Sequence, residues 1–162
     1  MKLPILLLAI LISAQLPPKE GAVASVKEAK ADFAKLTTYS WERGQEAFDR
    51  KAHAAIVAAI DGQMKALGFR QVPAEKADVT IRYFSALRTD VDLDELEKWE
   101  REGKVAPARN LGRLAVVMRD GSNHRLWAAD TVQPLRSEPP KAYEEIGPVV
   151  AKLFATYPGA KK

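Results

Sequence analysis

The 162-residue chain reads as an α+β domain: a largely antiparallel sheet of about four to five strands, with a long helix in its N-terminal half and a C-terminal helix packed on it. Three observations lead there. Apolar residues between Phe48 and Leu67 recur at the spacing of one helical face. Asp78–Leu87, Leu111–Arg119 and Arg125–Val132 have the β-rich, period-two character of half-buried strands, and the last two are joined by Asp120-Gly121-Ser122-Asn123, a hairpin turn sequence. Near the C-terminus, Ile146, Val149, Val150 and Leu153 again fall on one helical face.

Taken in order, Met1 and Lys2 precede an apolar run from Leu3 to Ala14, too short to cross a bilayer and typical of a secretory leader. The expected leader is residues 1–24, cut after Ala22-Val23-Ala24; an alternative cut follows Ala14. The domain is expected over residues 25–158, with 159–162 as a tail. Val23–Val26 and Leu36–Trp41 read as short extended pieces, the second rich in β-branched and aromatic residues. The long helix carries Phe48, Ala52, Ala55, Ile56, Ala59, Ile60, Met64 and Leu67 on its apolar face. Gly68 should end it in a left-handed conformation, with Phe69 packing back over the last turn. In the central strand Val79, Ile81 and Tyr83 face one way, Thr80, Arg82 and Phe84 the other. Residues 89–110 turn acidic and then basic, as an insertion joining two strands. Within it Asp92 is placed to cap a short helix with Glu95 as its partner, and Asp94 with Lys98 and Glu97 with Arg101 are spaced as surface pairs. Pro139 and Pro140 break the chain before the last helix, and Pro158-Gly159 ends it.

Composition excludes several classes of chemistry. With 47% hydrophobic and 28% charged residues the chain matches a soluble domain able to bury a core unaided. The absence of cysteine rules out thiol catalysis, thiolate metal ligands, disulfides and a lipid anchor. A formal net charge of +4, scattered among acidic residues, is not a nucleic-acid stripe. No nucleophile elbow, phosphate-binding loop or dinucleotide fingerprint occurs, so no catalytic residue and no cofactor is nominated. Asp90, Asp92 and Asp94 imitate the start of a calcium loop, yet Glu95 stands where that loop needs Gly and Arg101 where it needs Glu; no metal site is assigned. His53 and His124 lack zinc-ligand spacing. Asp120 and Asp130 near His124 define the one constellation from which hydrolysis could be argued.

Aromatics are the better candidates for contact. Tyr83 and Trp127 lie on strands, where they pack under helices or line a groove, and Trp99 stands in the insertion as a candidate interface anchor.

With these segments placed, the chain resembles the bacterial envelope family known as domain of unknown function 4136. The resemblance rests on Ala31–Trp41 (ADFAKLTTYSW), Ala66–Phe69 (ALGF), Ala77–Tyr83 (ADVTIRY), the hairpin returning through Leu126-Trp127, and Val150–Pro158 (VAKLFATYP). It implies an α+β fold and an origin among exported, commonly lipidated proteins, and it supplies no catalytic residues. Gln15 stands where the lipidated Cys is expected, and Ala128-Ala129 follow Trp127 where a basic residue and Gly are common. The expectation is a non-enzymatic periplasmic or secreted interaction or structural module. Its partner would be an envelope protein, a cell-wall component or a small ligand, with no nucleic acid and no transmembrane span in the mature protein. A small-ligand carrier is the alternative, and an envelope hydrolase a weaker one.

Overall fold

The computed structural model describes residues 19–91, 93–105, 108–135 and 139–159. Among the described residues six strands form one mixed sheet: β1 (Val23–Lys27), β2 (Thr38–Trp41), β3 (Arg70–Gln71), β4 (Val79–Val91), β5 (Ala108–Asp120) and β6 (Arg125–Pro134). Their order is β1-β6-β5-β4-β2-β3. Helices α1 (Arg50–Ala66) and α3 (Pro139–Phe154) pack against each other over one face, while α2 (Leu93–Arg101) follows β4 at the far end of the β4–β5 ribbon.

The α+β architecture matches the sequence reading, and the sheet is larger and less uniform than expected. β1, β6, β5 and β4 are antiparallel neighbours, but β2 runs parallel to both β4 and β3. The chain leaves β2, crosses through α1 and returns as β3 in the same direction, which a helical crossover permits and a tight turn does not. β3 has only two residues, too few to leave a periodic signal.

The core is built in rows across the sheet. Ile81, Met118 and Trp127 are in register on three adjacent strands and completely buried. Tyr83, Val116 and Ala129 form the next row, also closed. α1 covers them with Ile56, Ile60 and Met64, and α3 with Val150, Leu153 and Phe154. The opposite face is polar where strands meet. Arg82 pairs with Glu42 at 3.1 Å and lies 5.5 Å from the Phe84 ring centre, and Arg113 pairs with Asp130 at 2.6 Å.

Local chemistry sets the ends of α1. Asp49 is its N-cap, the carboxylate accepting from Ala52 N–H at 2.8 Å. At the other end Gly68 has φ +90°, Phe69 N–H reaches Met64 O and Gly68 N–H reaches Lys65 O, closing the helix as the Gly-Phe pair implied. Phe48 corrects the expected helical face: it precedes the cap and is fully exposed at 103%. Pro139 and Pro140 stand inside the first turn of α3, where their missing N–H groups leave no bond unmade. Asp92 lies outside the described residues, as do the side chains of Asp94 and Glu95. Arg101 bonds the Glu97 backbone carbonyl.

Asp78 locks β2 beside β4. One carboxylate oxygen accepts from the backbone N–H of both Thr37 and Thr38 at 2.9 Å, and Asp78 N–H donates to the Thr38 hydroxyl at 3.0 Å. These bonds, Thr37's first, hold its carboxyl below the ordinary value of 3.8. A lowered carboxyl contributes stability that is full above the unfolded value and is lost as pH falls through the folded one. Asp78→Asn should therefore lower Tm at neutral pH, and the gap to wild type should narrow in acid; a gap that widens on acidification would contradict this. In urea titrations, Met64→Ala should cost about 2–5 kcal/mol and Phe48→Ala less than about 0.5 kcal/mol.

Candidate functional site

Two of the sequence-nominated aromatics, Tyr83 and Trp127, belong to the core. Trp127 meets Tyr157 edge-on at 5.6 Å and Phe154 at 5.2 Å, with its ring under the helices. Burial pushes the Tyr157 phenol up to about 12. Tyr83 spends its hydroxyl internally, accepting from Ala47 N–H at 3.0 Å and lying 2.5 Å from His53 Nδ1. Burial first, then the Glu46 charge, raise this phenol, while the Ala47 bond opposes them. The loop carrying Ala47 lies so close to β4 that a Cβ on Gly44 would sit 1.9 Å from the Tyr83 carbonyl oxygen, a position only glycine can occupy. Trp99 is half-buried on α2 with the Lys104 ammonium 5.5 Å from its ring centre.

The hydrolytic set does not come together. His124 is exposed in the hairpin turn, 3.6 Å from Asp120, whose carboxylate accepts from Ser122 and His124 N–H. Asp130 lies up β6, roughly 20 Å away at about 3.3 Å per residue, and pairs with Arg113.

The concave surface lies further along the same sheet face, and the rows explain it. Beyond Tyr83–Val116–Ala129 comes Ser85–Leu114–Thr131, then Leu87–Gly112–Gln133. Leu114 and Thr131 are still buried, but Leu87 is 72% exposed. The helices spread over these outer rows without closing them, leaving a cleft of about 990 Å³. Ala52 and Ile56 of α1 form one wall, Ala142, Ile146 and Val149 of α3 the other. Leu135 folds over Gly112 and ends the cleft; a Cβ there would meet its side chain at 3.1 Å. A smaller recess of about 440 Å³ adjoins the cleft, sharing Gln133, Pro134, Glu145 and Val149 and lined also by Glu20 and Lys152.

Several polar groups around the cleft are already hydrogen-bonded. Asp49 caps α1 from the rim of the cleft, which Tyr143 of α3 also lines. The bond from Ala52 N–H, chiefly, lowers the Asp49 carboxyl; desolvation and then Asp49 raise the Tyr143 phenol. Thr131 donates to the Ala22 carbonyl at 2.6 Å and accepts from Gln133 at 3.0 Å, while Thr89 donates to Asn110 at 2.9 Å. The chemistry offered to an occupant is therefore apolar burial with a hydrogen-bonding rim. Among the described residues no group of three or more His, Asp or Glu side chains is placed to hold a metal, and no helix is long and apolar enough to cross a membrane.

A family model described as domain of unknown function (DUF4136) matches residues 23–159. The chain belongs to this family. No curated protein matches the DUF4136 chain, but solved structures share its fold. A PDZ domain protein from Parabacteroides distasonis aligns with TM-score 0.62 and 15% identity over 86% of this chain, which spans 36% of that protein's chain. Two PelC dodecamer structures from Paraburkholderia phytofirmans, one of them of a point variant, align with TM-score 0.53 and 13% identity over 83% of this chain, covering 97% and 95% of theirs. At these identities the likeness is one of fold. The DUF4136 cleft was not legible as a site because its residues look like ordinary strand and helix positions. The one sequence signal was Leu87, which extends the apolar face of Val79, Ile81 and Tyr83 past the reach of the helices.

Changing the core aromatics should act on folding. Trp127→Ala is expected to cost about 3–5 kcal/mol in urea titration; a loss below about 1 kcal/mol would contradict the packing described.

Proposed function

We propose that this chain is a non-catalytic interaction module of the bacterial envelope which receives an apolar group of its partner in the cleft between α1, α3 and the outer rows of the sheet. The supporting observation is the combination in one place of an open volume of about 990 Å³, apolar walls, and the rim pairs Thr89–Asn110 and Thr131–Gln133 bonded to each other. Such a surface gains free energy by covering Leu87 and its neighbours. The leader-like residues 3–14 and the resemblance to exported lipoproteins support an envelope setting. Proteins of similar fold described as dodecamers support a role in assembly.

The cleft's size also suits one small apolar ligand, which favours a carrier as the second reading. Binding of the fluorescent probe 1-anilinonaphthalene-8-sulfonate to the purified chain separates these ideas from a bare structural role. Ala142→Trp, which fills the cleft, should weaken probe binding by about tenfold or more, equal to ~1.4 kcal/mol, without lowering Tm. Unchanged binding in that variant removes the cleft from the proposal. Native mass spectrometry of detergent-free protein then distinguishes a carrier, which retains a mass, from a partner-binding module, which does not.

A further inference from the structure

β4 is longer than the neighbour on its outer edge. It pairs with β5 along all its thirteen residues, but with β2 only from Val79 to Ile81, followed by one bridge between Phe84 and Gln45. The direction of each backbone group follows from strand alternation. Ile81 C=O accepts from Glu42 N–H, and Ser85 N–H donates to Gln45 C=O, each at 2.9 Å, so the odd-numbered residues point to the outer edge. Leu87 and Thr89 continue the series, and among the described residues no strand lies beside them. Their N–H and C=O groups form an open template for another strand.

The side chains between these positions set its register. Arg88 and Asp90 share the face turned away from the helices and form an ion pair at 2.6 Å, both partly exposed. We infer that this edge is self-pairing: a second copy of the chain adds its β4 antiparallel to the first, about a two-fold axis through Thr89. That register places Thr89 opposite Thr89 of the second copy and Leu87 opposite Val91 of the second copy, so the outward-pointing backbone groups exchange hydrogen bonds. It also sets Arg88 opposite Asp90 of the second copy, twice by symmetry, at the non-hydrogen-bonded positions where side chains approach most closely. Sliding the strands by two residues one way puts Arg88 against Arg88; sliding them the other way puts Asp90 against Asp90. The charge pattern thus selects one register and rejects its neighbours. The contact is isologous, as a two-fold dimer requires, and the incoming strand covers Leu87 from the side that its own sheet leaves open.

Sedimentation equilibrium of the purified chain from about 1 to 200 μM tests this. Wild type should show a concentration-dependent dimer. Arg88→Asp alone and Asp90→Arg alone should each weaken dimerisation by about tenfold or more, since each sets like charges opposite. The double exchange Arg88→Asp with Asp90→Arg restores opposite pairs and should restore the dimer. Thr89→Pro removes an outward N–H from an edge strand and should leave a folded monomer, its Tm close to wild type. A wild type monomeric throughout, a dimer indifferent to Thr89→Pro, or a double variant no better than the single ones would overturn the proposal. The cleft reading is tested separately, because Ala142→Trp alters probe binding and leaves this edge intact.

Discussion

A mismatch of lengths governs this molecule. The thirteen residues of β4 or β5 extend roughly 43 Å at about 3.3 Å per residue. The seventeen residues of α1 and sixteen of α3 extend only about 26 and 24 Å at about 1.5 Å per residue. Helices laid over such strands close part of the sheet and leave the rest. Where they close it, Ile81, Met118 and Trp127 are sealed from water; where they spread, the same face becomes a cleft; beyond them, two strands continue as a ribbon toward α2. Packed core, cleft and free edge are successive zones of one sheet.

The closed zone depends on a polar fastening as well as apolar burial. Asp61 of α1 accepts from Tyr39 hydroxyl at 2.6 Å and from Trp41 Nε1 at 2.9 Å, joining the helix to the parallel strand beside it. Burial first, then this carboxylate, keep the Tyr39 phenol protonated well above its ordinary range. Asp78 fixes the start of that strand and Tyr83 anchors the loop that follows it. Three side chains thus hold β2 and its connection against β4, although β2 shares so short a ladder with it.

Much of this was legible in the sequence because periodicity reports which residues are half-buried. The α1 face from Ile56 to Met64, the Gly68-Phe69 closure, the alternation of Val79, Ile81 and Tyr83, and the hairpin through Asp120-Gly121 all appear as read. Phe48 departs from the reading because it has the right spacing but precedes the cap, and spacing alone does not locate a helix start. The direction of β2 and the existence of β3 rest on long-range pairing, which leaves no local pattern. For Tyr83 and Trp127 the sequence allows core or groove alike, since their depth depends on where the helices end. That is the same information needed to see the cleft, so both were beyond a one-dimensional reading.

The ribbon beyond the helices also has a mechanical meaning. Anchored at Ile81 and Met118 and bearing α2 at its far end, it is a cantilever: its base is covered by the helices, while its outer strands are held by their mutual ladder, by Leu135 N–H on the Asn110 carbonyl and by the Arg109–Glu20 ion pair. Amides at the base can exchange with solvent only when the whole domain opens, whereas those near Thr89 and Asn110 need only a local opening of the ribbon and its few tethers. Protection should fall along a single strand from root to tip, so that one element spans both the most and the least persistent structure in the molecule.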